Sequence, residues 1–369
     1  MKNTLLVAVA ALAIALPATA PVSAQTEAPV PSPNEIVNTA LPEEWIEIPA
    51  EDLLVITLVP DADGNERTVV IQLMPAPFSQ GWVHNIRLFA RSGWYDGISV
   101  NRVQDNYVTQ WGDPNYDNPE AAGEAKPLPE GLKVMGEDEY AASTIDVTLA
   151  TNGEEITDEN RATWEDWDWS IPRDPEFHNQ VPDVRATQTS NTFAGWHQRD
   201  AYADWVEFFR GWAVATEGES ADAPWWPVHC YGMVGVGRNY SPDTGSGAEL
   251  YTVIGHAPRH LDRNIALVGR VISGMEHLSS LPRGSGALGF YTEEEAHKRT
   301  PILSVRVAAD LPEDERPLFE YLSTEGETFA RYAEARANRR DPFFIVPAGG
   351  ADICNIPVPV RPFEYAVEE

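Results

Sequence analysis

The sequence predicts a mainly β protein, either a closed barrel or a two-sheet sandwich. Three observations carry that expectation. Eight short runs rich in Val, Ile, Leu, Thr and Tyr recur along the chain, only two short helical stretches lie among them, and Gly, Pro, Asn and Asp clusters punctuate the series. A barrel would also leave no strand edge exposed.

Leu53–Val59 and Val69–Met74 flank the polar cluster Asp61-Ala62-Asp63-Gly64-Asn65 and read as a hairpin. Ser79 is placed to cap a helix running to Arg91, with Val83, Ile86, Leu88 and Ala90 among its apolar residues and Gly93 to end it. Strands recur at Ile98–Val103, Tyr107–Trp111, Cys230–Val236, Glu249–Ile254, Ile265–Ile272 and Ile302–Ala308, with a short helix over Gly274–Leu281. An acidic insertion, 115–228, interrupts the series and holds eight of the twelve Trp. Within it Asp200–Val214 reads as an amphipathic helix carrying Trp205, Phe208, Phe209 and Trp212 on one face. Such an aromatic load is expected to pack onto the strands. Arg316–Asn338 reads as a charged helix, Pro342–Pro362 as an irregular tail, and the Pro-, Ala- and Glu-rich stretch 25–50 as a linker or irregular arm. The expected organisation is therefore an arm at 25–50, a domain over 51–310 with its insertion, and a helical C-terminal extension over 311–369.

The first residues set the expected compartment. Lys2 supplies a positive start, Leu5–Leu16 an uninterrupted apolar stretch, and Val22-Ser23-Ala24 a small-residue cleavage site before Gln25. These are the three parts of a secretory signal peptide, expected over 1–24, with export to the periplasm. The apolar stretch is shorter than the roughly 20 residues a membrane-spanning helix needs, so no stable membrane insertion is expected. The formal net charge of −31 repels phosphate backbones and argues against nucleic acid as a partner. In an oxidising compartment Cys230 and Cys354 are candidates for one disulfide, although their sequence separation does not say whether they meet.

Several chemical signatures are weak. His256 and His260 stand four apart, but Pro258 between them argues against a metal-binding helix. Gly232–Gly237 is glycine-rich without the strand–turn–helix setting of a phosphate loop, and no G-x-S-x-G is present. Four other stretches are more specific. Trp82–Gly97 contains Val83-His84-Asn85-Ile86, Leu88-Phe89-Ala90 and Gly93-Trp94-Tyr95-Asp96-Gly97. It runs without a gap into Arg102-Val103, Tyr107-Val108, Gln110-Trp111-Gly112-Asp113. Pro242-Asp243-Thr244-Gly245-Ser246-Gly247-Ala248-Glu249-Leu250-Tyr251 and His260-Leu261-Asp262 through Val268-Gly269-Arg270-Val271-Ile272-Ser273-Gly274-Met275 follow in order.

In that order the four blocks resemble the cyclophilin family. The resemblance implies an eight-stranded antiparallel barrel capped by two helices and an enzyme that interconverts cis and trans X–Pro bonds without a cofactor. It makes Arg102 the catalytic arginine and Gln110 the glutamine that holds the substrate backbone. It places Tyr107, Val108, Tyr251 and Leu261 around the proline, and Glu249 and His260 at two further substrate positions. Glu249 stands where the family carries glutamine, His260 where it carries an aromatic residue, and Ile265 where many members carry histidine. By residue type alone Arg102 would read as a strand arginine paired with a carboxylate, and the Trp cluster as packing. The expected partners are proline-containing polypeptides. The competing expectation is a module that binds proline segments without turning them over.

Overall fold

The structure, a computed structural model, describes residues 30–116, 118–164, 200–218 and 220–363. The chain opens with α1 (Pro33–Val37) and β1 (Trp45–Glu47). The first barrel elements are β2 (Leu53–Leu58), β3 (Arg67–Leu73), α2 (Gln80–Arg91), β4 (Ser99–Val103) and β5 (Val108–Gly112). The insertion contributes β6 (Ala142–Ser143), α3 (Thr144–Asn152), α4 (Asp158–Ala162), β7 (Trp205–Phe209), β8 (Trp212–Thr216) and β9 (Pro224–Pro227). The barrel resumes with β10 (Met233–Val236), β11 (Leu250–Val253), β12 (Leu267–Ser273), α5 (Glu276–Ser279) and β13 (Thr300–Val307). The extension holds β14 (Phe319–Leu322), α6 (Glu327–Ala337) and β15 (Val360–Pro362).

Eight strands close into a barrel in the order β10-β11-β5-β4-β13-β2-β3-β12, with every pairing antiparallel. They are the eight runs read from the sequence, with ends shifted by a few residues. The two-residue period of β2 is legible in its packing. Leu54, Ile56 and Leu58 join the main core, while Leu53 and Val55 pack outward against Ile48 and Phe319 of the arm and extension.

Helix α2 covers part of the main core with Trp82, Val83, Ile86, Phe89 and Ala90, all buried at the spacing of one helical face. Its C-terminus closes as a Schellman turn around Gly93 (φ +68°): Gly93 N–H donates to Ala90 O and Trp94 N–H to Phe89 O. Its N-terminus differs from expectation. Ser79 sits in the left-handed region (φ +54°) and makes no side-chain cap. Gln80 Nε2 instead donates to Met74 O and Phe78 O.

Three further expectations are corrected. Asp200–Val214 is not a helix. β7 and β8 form a hairpin whose two-residue turn, Arg210-Gly211, has φ of +47° and +82°, the primed geometry that glycine favours at its second position. The apolar residues therefore obey a sheet period. Arg316–Asn338 splits into β14 and α6, because Pro317 cannot sit in a helix interior and Gly326 serves as the N-cap. The arm is not irregular from residue 30 onward. Ser32 and Glu35 make a capping box that starts α1, and β1 pairs with β14. The tail after Pro342 is irregular as read, apart from one short 3-10 turn over Ile353–Asn355 and β15, which pairs with the other side of β14.

Arm, insertion and extension share a second core. Ile36 and Trp45, then Val206, Ala215, Trp226 and Val228, then Leu322, Phe329, Tyr332, Ile353 and Ile356 pack together. Cys230 and Cys354 meet beside this core as a disulfide, with Cα atoms 5.0 Å apart. The described parts of the insertion also grip the barrel. Tyr140 stacks on Trp82 with centroids 5.6 Å apart, and Phe209 meets Phe78 edge-on at 5.8 Å. The guanidinium of Arg270, half-buried, lies 4.6 Å from the Trp212 ring centroid and donates to Gly211 O. Burial lowers its pKa to about 10. Trp167, Trp169 and Trp196 lie outside the described residues.

Candidate active site

Strand register builds the site. Arg102 on β4 stands opposite Gln110 on β5, and Gln110 stands opposite Tyr251 on β11. Directly opposed residues of antiparallel strands put their side chains on one face, so three neighbouring strands deliver these three groups side by side. The loop before β11 is fixed by the cap helix and its exit turn. Trp82 Nε1 donates to Gly245 O, Asn85 Nδ2 to Ser246 O, and Tyr95 Oη to Gly247 O at 2.6 Å.

These groups line an open cleft of about 480 Å³. Arg102, Tyr107, Val108, Gln110, Tyr251 and Leu261 line it, as the sequence led one to expect. Glu249 and His260 do not. Glu249 is buried behind Gln110, with its Oε2 3.2 Å from Gln110 Nε2. His260 is exposed on the turn Arg259–Leu261, outside the cleft lining. The shift of His260 follows from its turn: Arg259 is the buried member of that short helix and His260 the exposed one. The cleft is completed by Gly237, Arg238, Asn239 and Ile265, and by Pro119, Tyr240, Leu288 and Phe290, which sequence reasoning missed. The signal for the last two was the glycine-rich stretch Gly284–Gly289. There Gly289 (φ +82°) brings the backbone against Gln104, and Phe290 forms a β-bridge to Arg102.

The hydrogen bonds fix both Arg102 and Gln110. Arg102 Nε donates to Leu288 O (2.7 Å), Nη1 to Gln110 Oε1 (3.0 Å) and Nη2 to Gln104 Oε1 (2.5 Å). Its guanidinium also lies 5.7 Å from the Tyr107 ring and 5.5 Å from that of Phe290. Burial holds its pKa below the usual arginine range, opposed by the neighbouring tyrosines, and it stays cationic at neutral pH. A guanidinium can only donate and a carboxylate can only accept. Arg102 and Glu249 therefore leave the Gln110 amide one orientation, oxygen toward Arg102 and nitrogen toward Glu249. Two of the five Arg102 N–H groups remain for a ligand.

Tyr251, on the apolar side of the cleft, is buried, and its phenol is held well above the ordinary tyrosine range by that burial. Its hydroxyl lies 2.9 Å from His229 Nε2, and His229 Nδ1 lies 2.9 Å from Asp262 Oδ1. His229 is the other residue the sequence did not single out. It has no motif of its own and is recognised only by the side chains it meets.

The comparisons with known proteins agree with this geometry. The family profile described as cyclophilin type peptidyl-prolyl cis-trans isomerase/CLD matches residues 66–307, well over half of the chain. The crystal structure of the cyclophilin AquaCyp293 from Hirschia baltica aligns at 20% identity and a TM-score of 0.54, covering 86% of this chain and 93% of its own. A cyclophilin type peptidyl-prolyl cis-trans isomerase of Cryptosporidium parvum, solved with the dipeptide Ala-Pro, aligns at 10% identity over 68% of this chain and 97% of its own, with a TM-score of 0.32. No curated protein matches. With a closed eight-stranded barrel, the four sequence blocks in order and a profile match spanning both sides of the insertion, the chain belongs to the cyclophilin-type peptidyl-prolyl cis-trans isomerase family.

Proposed function

We propose that this chain catalyses cis–trans isomerisation of X–Pro bonds in exported proteins, with Arg102 as the group that stabilises the twisted bond. One observation carries the reading: a guanidinium with unused donors stands beside an apolar cleft on three adjacent strands. Rotation about a peptide bond must break amide resonance, a barrier of about 18–20 kcal/mol. No bond is made or cut. In the twisted state the imide nitrogen regains a lone pair, so a donor aimed at it binds that state better than the planar one. In this reading Tyr107, Val108, Tyr251, Leu261 and Phe290 hold the proline ring, while Gln110, locked by Arg102 and Glu249, fixes the substrate backbone. The start of the sequence supports export to the periplasm, where unfolded proline-containing clients would be met.

A charged hydrogen bond contributes about 1.5–3 kcal/mol, or one to two powers of ten in rate. Arg102→Ala is therefore expected to lose about 10- to 100-fold in kcat/KM on a short X-Pro peptide while keeping its fold by circular dichroism. Activity equal to wild type would refute the assignment. A second reading has its own observation: three Arg102 donors are already engaged by Leu288, Gln110 and Gln104. A chain that binds the peptide with no measurable turnover, before and after Arg102→Ala, would be a binding module instead.

A further inference from the structure

We infer that the insertion sets the proline pocket through a buried chain of five side chains, with Asp200 as its positioning residue at the far end. Asp200 grips Arg259 with both oxygens, Oδ2 to Nη1 at 2.6 Å and Oδ1 to Nη2 at 2.9 Å. Arg259 Nε donates to Asp262 Oδ2 at 2.7 Å. Asp262 Oδ1 accepts from the His229 backbone N–H at 3.0 Å and meets His229 Nδ1 at 2.9 Å, and His229 Nε2 meets the Tyr251 hydroxyl at 2.9 Å. The chain is almost wholly buried: the side chains of Arg259, Asp200, Asp262 and His229 are between 1 and 5% exposed. The inference rests on the isomerase reading of the cleft and adds who controls it.

The polarity of the chain is determined throughout. Arg259 can only donate, so both aspartates accept. Asp262 then accepts from the Nδ1–H of His229, so on the neutral imidazole Nε2 accepts and the Tyr251 hydroxyl donates. Burial pushes the Asp262 carboxyl up, but His229 and Arg259 outweigh it and hold it below its ordinary range. The hydroxyl–imidazole–carboxylate order also resembles a nucleophile with its base. Burial holds the phenol far above the tyrosine range, so Tyr251 serves as a fixed donor with its ring as pocket wall. Gly235 keeps room for it: a Cβ there would lie 2.3 Å from the Tyr251 hydroxyl.

Asp200 belongs to the insertion, Arg259 and Asp262 to the turn that carries Leu261, and His229 to the strand return beside the disulfide. The insertion thus reaches two pocket residues, Leu261 and Tyr251, without touching substrate. Removing one member of such a contiguous network can shift the coupled site by about two- to thirtyfold. The test uses the full mature protein. Asp200→Asn is expected to raise KM for an X-Pro peptide by that factor with kcat retained, and to add nothing in a Tyr251→Phe background, where the chain is already cut at the pocket. Independently of any activity, ¹⁵N NMR of His229 should show a slowly exchanging Nδ1 proton in wild type that is lost or shifted in Asp200→Asn. If Asp200→Asn fails to fold, Arg259→Lys, which keeps the charge and loses the fork, takes its place in both measurements. An unchanged His229 signal, or an equal KM effect with and without the Tyr251 hydroxyl, would overturn the inference. A shifted signal in a protein without isomerase activity would remove the isomerase reading alone.

Discussion

Reducing the disulfide should lower the melting temperature by several degrees, and the size of the effect can be worked out. Cys230 precedes β10 of the barrel and Cys354 lies in the extension, 124 residues later. Closing a loop of that length removes denatured-state entropy equivalent to about 5 kcal/mol at 25 °C, an upper bound that native strain and residual structure reduce. At about 2.1 cal/mol/K per residue, a chain of this size unfolds with an entropy near 0.7 kcal/mol/K, so 5 kcal/mol corresponds to about 7 °C. The extension has other anchors, since Leu322, Phe329, Tyr332, Ile353 and Ile356 are all in the second core. It should therefore stay docked after reduction and become the first segment cut by protease on warming. The assay is thermal unfolding of the protein with and without reductant, beside Cys354→Ser. A reductant-independent melting temperature, or two titratable thiols in unreduced, denatured protein, would refute the reasoning.

Gly112→Ala should cost about tenfold in kcat/KM, because the new Cβ would lie 1.9 Å from Glu249 Oε1 and must displace the carboxylate that orients Gln110, a charged hydrogen bond of about 1.5–3 kcal/mol; steady-state kinetics with unchanged activity would contradict it. His260→Ala should leave KM within about twofold, as expected for an exposed side chain outside the cleft lining, and a larger rise would bring His260 back into the site. Arg306 donates to both oxygens of Asp96 at 2.7 and 2.8 Å and, chiefly through those hydrogen bonds, holds that carboxyl below its usual range. The pair's stabilisation is then present above the unfolded carboxylate range and lost as pH falls through the lower folded value. The melting-temperature gap between wild type and Arg306→Met should accordingly close as pH falls below the ordinary carboxylate range, and a gap constant with pH would disprove it. Limited proteolysis should leave 118–164 and 200–228 largely protected, given their contacts with Trp82, Phe78 and Arg270; rapid cutting there with full activity retained would show them to be loosely attached.

The barrel was legible because each strand carries its own signal. β2 and β3 are β-branched runs around a turn, and a one-residue shift would move Leu54, Ile56 and Leu58 out of the core. The cleft residues on β4, β5 and β11 were legible only through the resemblance of their blocks to the family's motifs; strand register then explains why they share a face. What lay beyond reading depends on distant partners. The residues Trp205 to Trp212 fit a helical stripe as well as a hairpin, and only the positive φ of Arg210 and Gly211 decides between them. Glu249 was placed at a substrate position because it stands where the family carries glutamine, yet it is buried behind Gln110. His229 and Asp200 carry no local pattern. Their roles arise from Tyr251 and Arg259, 22 and 59 residues away. The capping box of Ser32 and Glu35 was in the sequence and was overlooked.

The small sheet formed by β1, β14 and β15 has a consequence for how the molecule is made. β14 pairs with β1 on one side and with β15 on the other, and Arg361 rests 3.8 Å from the ring centroid of Trp45. Segments separated by more than 300 residues of synthesis are thus neighbours in the finished fold. β1 is made early and has no partner until β14, about 270 residues later, has been synthesised. The barrel behaves likewise, since β2 must wait for β13. A growing chain can therefore hold local hairpins but not its final form, and folding must await contacts of high sequence separation.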